Sequence, residues 1–337
     1  MKRILILHTG GTIGMLPKEN PSKTLLPSKL GTHFLELVPE LSKLAKIKLE
    51  MLDNIDSSNV TPAHWLRWFS HLKKRYEHFD GFIFTHGTDT MAYTASALSF
   101  ALKKVNKPVV FTGSQRPLMN IRTDARDNLI NSVEMAVNGP PEVSLCFGNK
   151  LLRANRAIKF SSSDYVAFES FNFSELAILG VEVDCIWKSF SKKLRVAVGK
   201  PSWNLKFDES VFSFKVFPGI STEVLKAAVT SPAARGIVLE AFGSGNIPML
   251  SNSILKVIEL ATTLGKPVLI VSQCPHGRVD LELYESGARA LKLGAISSGD
   301  MTREAAIVKL MHCLGQNYSR NEQAAYLLKN VCGERSS

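Results

Sequence analysis

Two stretches of the chain could do chemistry together: "ILILHTGGTIG" at residues 4–14 and "FIFTHGTDTMAYTASALSF" at residues 82–100. Each runs a strand-like apolar segment through a histidine and glycine into threonine. In the first, Gly10, Gly11 and Gly14 surround Thr12; in the second, Gly87 precedes Thr88, Asp89 and Thr90. Glycines let the backbone turn tightly and bring its N–H groups close to a ligand, where they can stabilise a developing oxyanion. A threonine hydroxyl becomes a nucleophile only when a base removes its proton, and a lysine of lowered pKa can do so. The sequence does not choose the lysine: Lys159, in "RANRAIKFSS", is one of 41 basic residues and reads otherwise as surface charge. Thr88, Asp89 and Thr90 have a simpler reading as caps for the helix "MAYTASALSFAL", since all three types accept from orphan N–H groups. The second glycine-hydroxyl turn favours a shared site. Neither stretch carries the Lys-Ser/Thr of a P-loop or a full GxGxxG, which argues against a phosphate or dinucleotide cradle.

Both stretches fall where a strand hands over to a helix. Residues 1–190 alternate apolar runs (Ile4 to Leu7, Phe82 to Thr85, Val109 to Thr112, Val143 to Phe147) with amphipathic segments such as "TPAHWLRWFSHLKKRY". A further such segment, "TDARDNLINSVEMAV", places Ala125, Leu129, Ile130, Val133 and Val137 on one face. This alternation predicts an α/β domain built on a parallel sheet with flanking helices, in which ligands sit beyond the carboxyl ends of the strands. Around 191–212 the periodicity fades and charge, Gly199 and Pro201 enter, which predicts a linker. From 213 to 337 a smaller α/β domain is expected, with strands at "VFSFKVF", "GIVLEAF" and "PVLIVSQ", helices at "TEVLKAAVTSP" and "SNSILKVIELATTLG", and two helices at the end.

The formal charge of +11 raises nucleic acid or an anionic surface as a partner, but the basic residues are scattered in pairs such as Lys73-Lys74 and Lys192-Lys193. Solvated surface is the expectation, with no nucleic acid and no membrane partner. Five cysteines stand far apart with no CxxC or Cys-His zinc spacing, consistent with reduced thiols and no metal. Four apolar residues after Lys2-Arg3 are too few for a secretory segment, and no apolar run is long enough for a bilayer, so a cytoplasmic protein is expected.

With these residues set out, the sequence resembles the bacterial L-asparaginases. "TGGTIG" at 9–14 and "THGTDTM" at 85–91 are similar to the two signature motifs of that family. Further matching segments are "DSS" at 56–58, "TGSQRPL" at 112–118, "RANRAIK" at 153–159 and "GSGNIP" at 243–248, so the resemblance covers nearly the whole chain. "DSSNVTPAHW" looks most like the cytoplasmic, type I branch. The resemblance implies a larger N-terminal and a smaller C-terminal α/β domain, no cofactor, and hydrolysis of L-asparagine to aspartate and ammonia. It implies Thr12 as primary nucleophile, with Thr88, Asp89 and Lys159 completing the catalytic set. Substrate contacts carried over are Gly11, Ser57, Ser58, Gly87, Thr88, Asp89 and Ser114, with Asn246 reaching a neighbouring subunit's site in a homodimer or a dimer-of-dimers tetramer. Asp89 would pair with the substrate ammonium.

Three positions depart from the family pattern. A catalytic tyrosine is usual on the segment after "TGGTIGM", yet residues 13–50 contain none, and Thr24 and Leu25 stand near the expected place. Some members bind a second asparagine through a threonine before the catalytic lysine and an arginine before the "GxGN" turn. Here those positions resemble Ile158 and Glu240, although Cys274 is kept, and a glutamate cannot pair with a carboxylate ligand. Absence of that kind of cooperativity is expected. Two other functions compete. An ammonia-supplying subunit of a tRNA-dependent amidotransferase fits the basic charge, but such subunits carry an N-terminal extension, and with the first motif beginning at residue 9 none is expected here. A catalytically weak asparagine sensor fits the missing tyrosine.

Overall fold

Strand Arg3–Gly10 (β1) is buried from its second residue to its last, because it lies inside a sheet covered on both faces. It pairs in parallel with Lys46–Ile55 (β2) on one side and Gly81–Thr85 (β3) on the other, Ile4 lying opposite Ile47 and Gly81. Val109–Thr112 (β4) and Val143–Phe147 (β5) extend the parallel block. Lys150–Arg153 (β6), Ala177–Leu179 (β7) and Val183–Asp184 (β8) then add antiparallel strands, giving the order β8-β7-β6-β5-β4-β3-β1-β2. The parallel-sheet expectation thus holds for a block of five strands that includes the two leading into the motifs, within a mixed sheet. The chain passes from β1 to β2 on one side and returns to β3 on the other. That reversal opens a crevice between the carboxyl ends of β1 and β3, where Thr12 and Thr88 follow.

This computed structural model describes residues 1–17, 25–27, 33–190, 200–250 and 253–336. It divides into two units, Met1–Leu205 and Lys206–Ser337. Of the residues read as a linker, Ser202–Trp203 pairs with Leu102–Lys103 in the first unit, and 206–212 belong to the second. Residues 191–199 lie outside the described residues.

Helix Pro62–Arg75 (α1) starts where Pro62 needs no N–H partner and where Thr61 and His64 form a reciprocal cap. Trp65, Trp68, Phe69 and Leu72 form its buried face at helical spacing. Met91–Ala101 (α2) is buried almost all round, so its apolar composition shows no stripe. In Ala125–Asn138 (α3), Ala125, Leu129 and Val133 are fully buried, with Ile130 and Val137 packed at the margin.

In the second unit, Val211–Lys215 (β9), Gly236–Ala241 (β10), Val268–Ser272 (β11) and Ile296–Ser297 (β12) form a parallel sheet in sequence order. Period-two alternation divides its core. Ile237, Leu239 and Ile270 face one cluster with Thr222–Thr230 (α4) and Ile254–Thr263 (α5), while Val238, Leu269 and Val271 face another with Arg303–Leu314 (α7) and Arg320–Leu328 (α8). Glu285–Lys292 (α6) completes the unit.

Candidate active site

The turns after β1 and β3 are pressed together at two glycines. Gly11 has φ +87°, and a Cβ there would stand 2.4 Å from the Gly87 nitrogen. A Cβ on Gly87 would in turn stand 2.6 Å from Ser57 Oγ, on the loop after β2. Only residues without side chains allow this approach, so three loops from three adjacent strands close around one place. Thr12 opens a short 3₁₀ turn, Thr12–Gly14, and among the described residues no protein group bonds its hydroxyl.

Thr88 is buried and accepts a hydrogen bond from Lys159 Nζ at 2.7 Å. The same ammonium donates to Asp89 Oδ1 at 2.7 Å. Lys159 reaches the turn from a two-residue strand, Ile158–Lys159, paired antiparallel with Phe168–Glu169. Its side chain is 19% exposed while that of Asp89 is 63% exposed, so the trio opens to solvent on the carboxylate side. The capping reading of this turn is corrected by the geometry. No side chain caps α2: Thr90, at the cap position, donates instead to Ser57 O at 2.8 Å, and Thr88 and Asp89 are committed to Lys159. Residues of capping type are thus used to tie neighbouring loops together.

The polar groups behind the turn are buried and linked. His8 Nδ1 lies 2.7 Å from Thr85 Oγ1, and Thr9 Oγ1 donates to Thr85 O at 3.0 Å, cross-bracing β1 and β3. His86 Nδ1 lies 2.7 Å from Gly87 O, and Thr94 Oγ1 lies 3.0 Å from His86 Nε2. Burial lowers both imidazoles to about 4, because the charged ring is cut off from water, and at His86 the Gly87 carbonyl offsets this only in part.

The remaining expected contacts fall in three places. Ser57 is buried against Gly87, whereas Ser58 bonds Asp56 through both its N–H and its hydroxyl. Ser114 donates within its own turn to Arg116 O at 2.5 Å. Asn246 belongs to the second unit, where Ser286 Oγ donates to its Oδ1 at 3.1 Å. Thr24 lies outside the described residues; Leu25 pairs with Pro17 in a short antiparallel ribbon. Glu240 has Arg303 Nη1 at 3.8 Å, within the second unit. Among the described residues, no group of three or more His, Cys, Asp or Glu could hold a metal ion, and no helix is long and apolar enough to cross a membrane.

Sequence reasoning missed Gln115. Its Oε1 is 3.5 Å from Thr88 Oγ1, and its Nε2 donates to Asp164 O at 3.1 Å, joining the turn to the loop beyond Lys159. Asp124 holds the Gln115 and Arg116 N–H groups, and burial raises its pKa despite those donors. A glutamine directly after Ser114, itself among the expected contacts, was the available signal.

The arrangement pairs a Thr12 hydroxyl that no described residue bonds with a Thr88 hydroxyl held by a lysine that also meets a carboxylate, around glycine turns. That is equipment for attack on a carbonyl carbon and for moving the proton it displaces. Comparison with known proteins bears on this chemistry. Residues 3–191 match the family described as "Asparaginase, N-terminal", and residues 210–327 match "Glutaminase/Asparaginase C-terminal domain". The L-asparaginase of Thermococcus kodakarensis is 36% identical, covering 98% of both chains, and its solved structure superposes with a TM-score of 0.91 at 35% identity over 99% of both. The structure of L-asparaginase I from Vibrio cholerae matches with a TM-score of 0.89 and 35% identity over 100% of this chain and 99% of that one. A glutamyl-tRNA(Gln) amidotransferase component from Pyrococcus abyssi is 35% identical, covering 99% of this chain and 77% of its own length.

Proposed function

The chain belongs to the asparaginase family, and from that premise we propose that it is an L-asparaginase, releasing ammonia and L-aspartate from L-asparagine. Thr12 Oγ adds to the side-chain carbonyl carbon; the C–N bond breaks and the proton lost by Thr12 leaves with the nitrogen as ammonia. Water then cleaves the ester, giving aspartate and restoring the Thr12 hydroxyl. Thr88, Lys159 and Asp89 relay the proton in the first step and activate the water in the second. Backbone N–H groups of the glycine turns stabilise the oxyanion. Asp89, open to solvent on one side, takes the substrate ammonium, and Gly11, Ser57, Ser58, Gly87 and Ser114 line the place where the amino acid lies.

The observation that carries this reading is the 2.7 Å contact of Lys159 with both Thr88 and Asp89, on a turn packed backbone to backbone against the one bearing Thr12. The test is ammonia release from asparagine and from glutamine by the purified protein, with Thr12→Val as control. Turnover with asparagine that Thr12→Val lowers by several orders of magnitude supports it. Unchanged release from the variant would falsify it. A Thr12→Val protein that keeps asparagine affinity while the parent shows no turnover identifies a sensor instead.

The proposal extends to the type I, cytoplasmic branch, supported by the "DSSNVTPAHW" segment and the likeness to L-asparaginase I of V. cholerae. It also extends to a homodimer or tetramer in which Asn246 contributes to a neighbour's site; sedimentation of the parent and assay of Asn246→Ala check both. One comparison favours a second reading: the relative from P. abyssi is named as part of a glutamyl-tRNA(Gln) amidotransferase, and this chain carries +11. Tight, steeply salt-dependent tRNA binding with little free ammonia release would decide for it.

A further inference from the structure

We propose that His86 is a positioning residue, locked by Thr94 and Trp65 in the tautomer that pins the Gly87–Thr88 peptide, so that the Thr88 N–H faces the reacting carbonyl oxygen. The inference rests on the amidohydrolase reading above and adds to it a part that touches no substrate.

The assignment follows link by link from what each atom can do. A carbonyl oxygen only accepts, so His86 Nδ1, at 2.7 Å from Gly87 O, carries the ring proton. Nε2 of the neutral ring is then bare and must accept, and the group beside it is Thr94 Oγ1 at 3.0 Å. Thr94 has one proton to give, so its own incoming bond must come from a pure donor. Trp65 Nε1, which cannot accept, donates to Thr94 Oγ1 at 3.0 Å. Trp65, Thr94 and His86 are all buried, and Trp68 stands edge-on to the imidazole at 5.6 Å, so the ring has no room to turn. Burial lowers His86 to about 4, which keeps it neutral with Nδ1–H in place at ordinary pH.

The consequence lies on the other side of the peptide. In a trans peptide the C=O and the following N–H point in opposite directions. With Gly87 O drawn inward to the ring, the Thr88 N–H is turned outward, toward the crevice at the strand ends. Among the described residues no protein acceptor takes it. Pinning is needed because Gly87 has no Cβ to resist a peptide flip. A flip would present a carbonyl oxygen where an oxyanion forms. Gly87 must nevertheless be glycine, since Ser57 occupies the place of its Cβ.

Two pairs of variants test the relay. His86→Leu removes the donor, whereas His86→Asn keeps a short N–H near the Nδ1 position. In the Leu variant kcat should fall about 100-fold with KM within about threefold, as for loss of an oriented oxyanion donor, and Asn should recover at least about tenfold of that. Thr94→Val should lower kcat about 10-fold and Thr94→Ser, which keeps the hydroxyl, should restore it; this pair decides if the His86 variants do not fold. Equal kcat in folded Leu and Asn variants, or a loss confined to KM, overturns the proposal. If the parent releases no ammonia, the amidohydrolase reading fails instead. The relay is then decided by ¹⁵N NMR of the His86 ring: an Nδ1–H tautomer supports it and an Nε2–H tautomer sinks it.

Discussion

Two lysines, one in each unit, meet a carboxylate at almost the same distance: Lys159 stands 2.7 Å from Asp89, and Lys309 stands 2.6 Å from Glu334. Their remaining partners set them apart. Lys309 and Glu334 are both 0% exposed, and the other ammonium protons go to Leu327 O at 2.9 Å and Lys329 O at 2.6 Å. Burial works against the charge on Glu334, but Lys309 and the Val331 and Cys332 N–H groups outweigh it and hold the carboxyl below its usual range. Beyond Glu334 the partners are backbone carbonyls, which cannot pass a proton on, so the pair fastens the last turn of chain to α7. Lys159 instead has a hydroxyl as its other partner and a carboxylate open to solvent. The same ion pair is structural where carbonyls saturate it and suited to chemistry where a hydroxyl completes it.

The widest separation between the two sites should appear in turnover. Lys159→Met is expected to lower kcat for ammonia release by about 10³-fold, as for loss of a general base, with little change in Tm. Lys309→Met should do the reverse. It leaves Glu334 buried without its cation, and urea unfolding should show a loss on the order of 3–5 kcal/mol while turnover per folded molecule is kept. If both variants lose activity and stability in the same proportion, the distinction collapses.

A third outcome concerns acid. His8 and His86 sit in the first unit with pKa values of about 4 against an ordinary 6.5. Their folded values are depressed, so between those two pH values the unfolded chain binds more protons than the folded one. Stability is full above pH 6.5 and is lost as pH falls toward 4, on the order of 3 kcal/mol per histidine across the window. A Tm that stays flat from pH 7 to 4.5 would contradict this. The smallest expected effect is at Glu240, which faces Arg303 and carries the wrong charge for a carboxylate ligand. Asparagine saturation should be hyperbolic in the parent and in Glu240→Ala alike, and a sigmoidal curve abolished by that substitution would refute the point.

Strands whose both faces are covered were legible because their residues are uniformly apolar; Ile4 to Leu7 and Phe82 to Thr85 appear as expected. Strand β2 was not, since it lies at a sheet edge and reads "KIKLEMLDNI", half charged or polar. Helix α6 escaped notice for a similar reason: "ESGARALK" buries only Ser286, Gly287 and Ala290. In the site, residue types and family likeness pointed to Thr88, Asp89 and Lys159, which the fold brings into contact across 70 residues of sequence. No local pattern announces that Thr90 bonds Ser57 O or that Trp65 bonds Thr94, because those bonds join segments 33 and 29 residues apart, and the eight-residue step from His86 to Thr94 runs from a turn into a helix with no motif to mark it.

The contact between Gly11 and Gly87 bears on how the pocket could be redesigned. A methyl group at Gly11 would collide with the main chain of Gly87, and one at Gly87 with Ser57, so a mutagenesis library gains nothing by including them. Gln115, by contrast, reaches Asp164 O through side-chain atoms that can be replaced one at a time. For the proposed amidohydrolase, substrate range is expected to respond to substitutions at Gln115 before any at these two glycines.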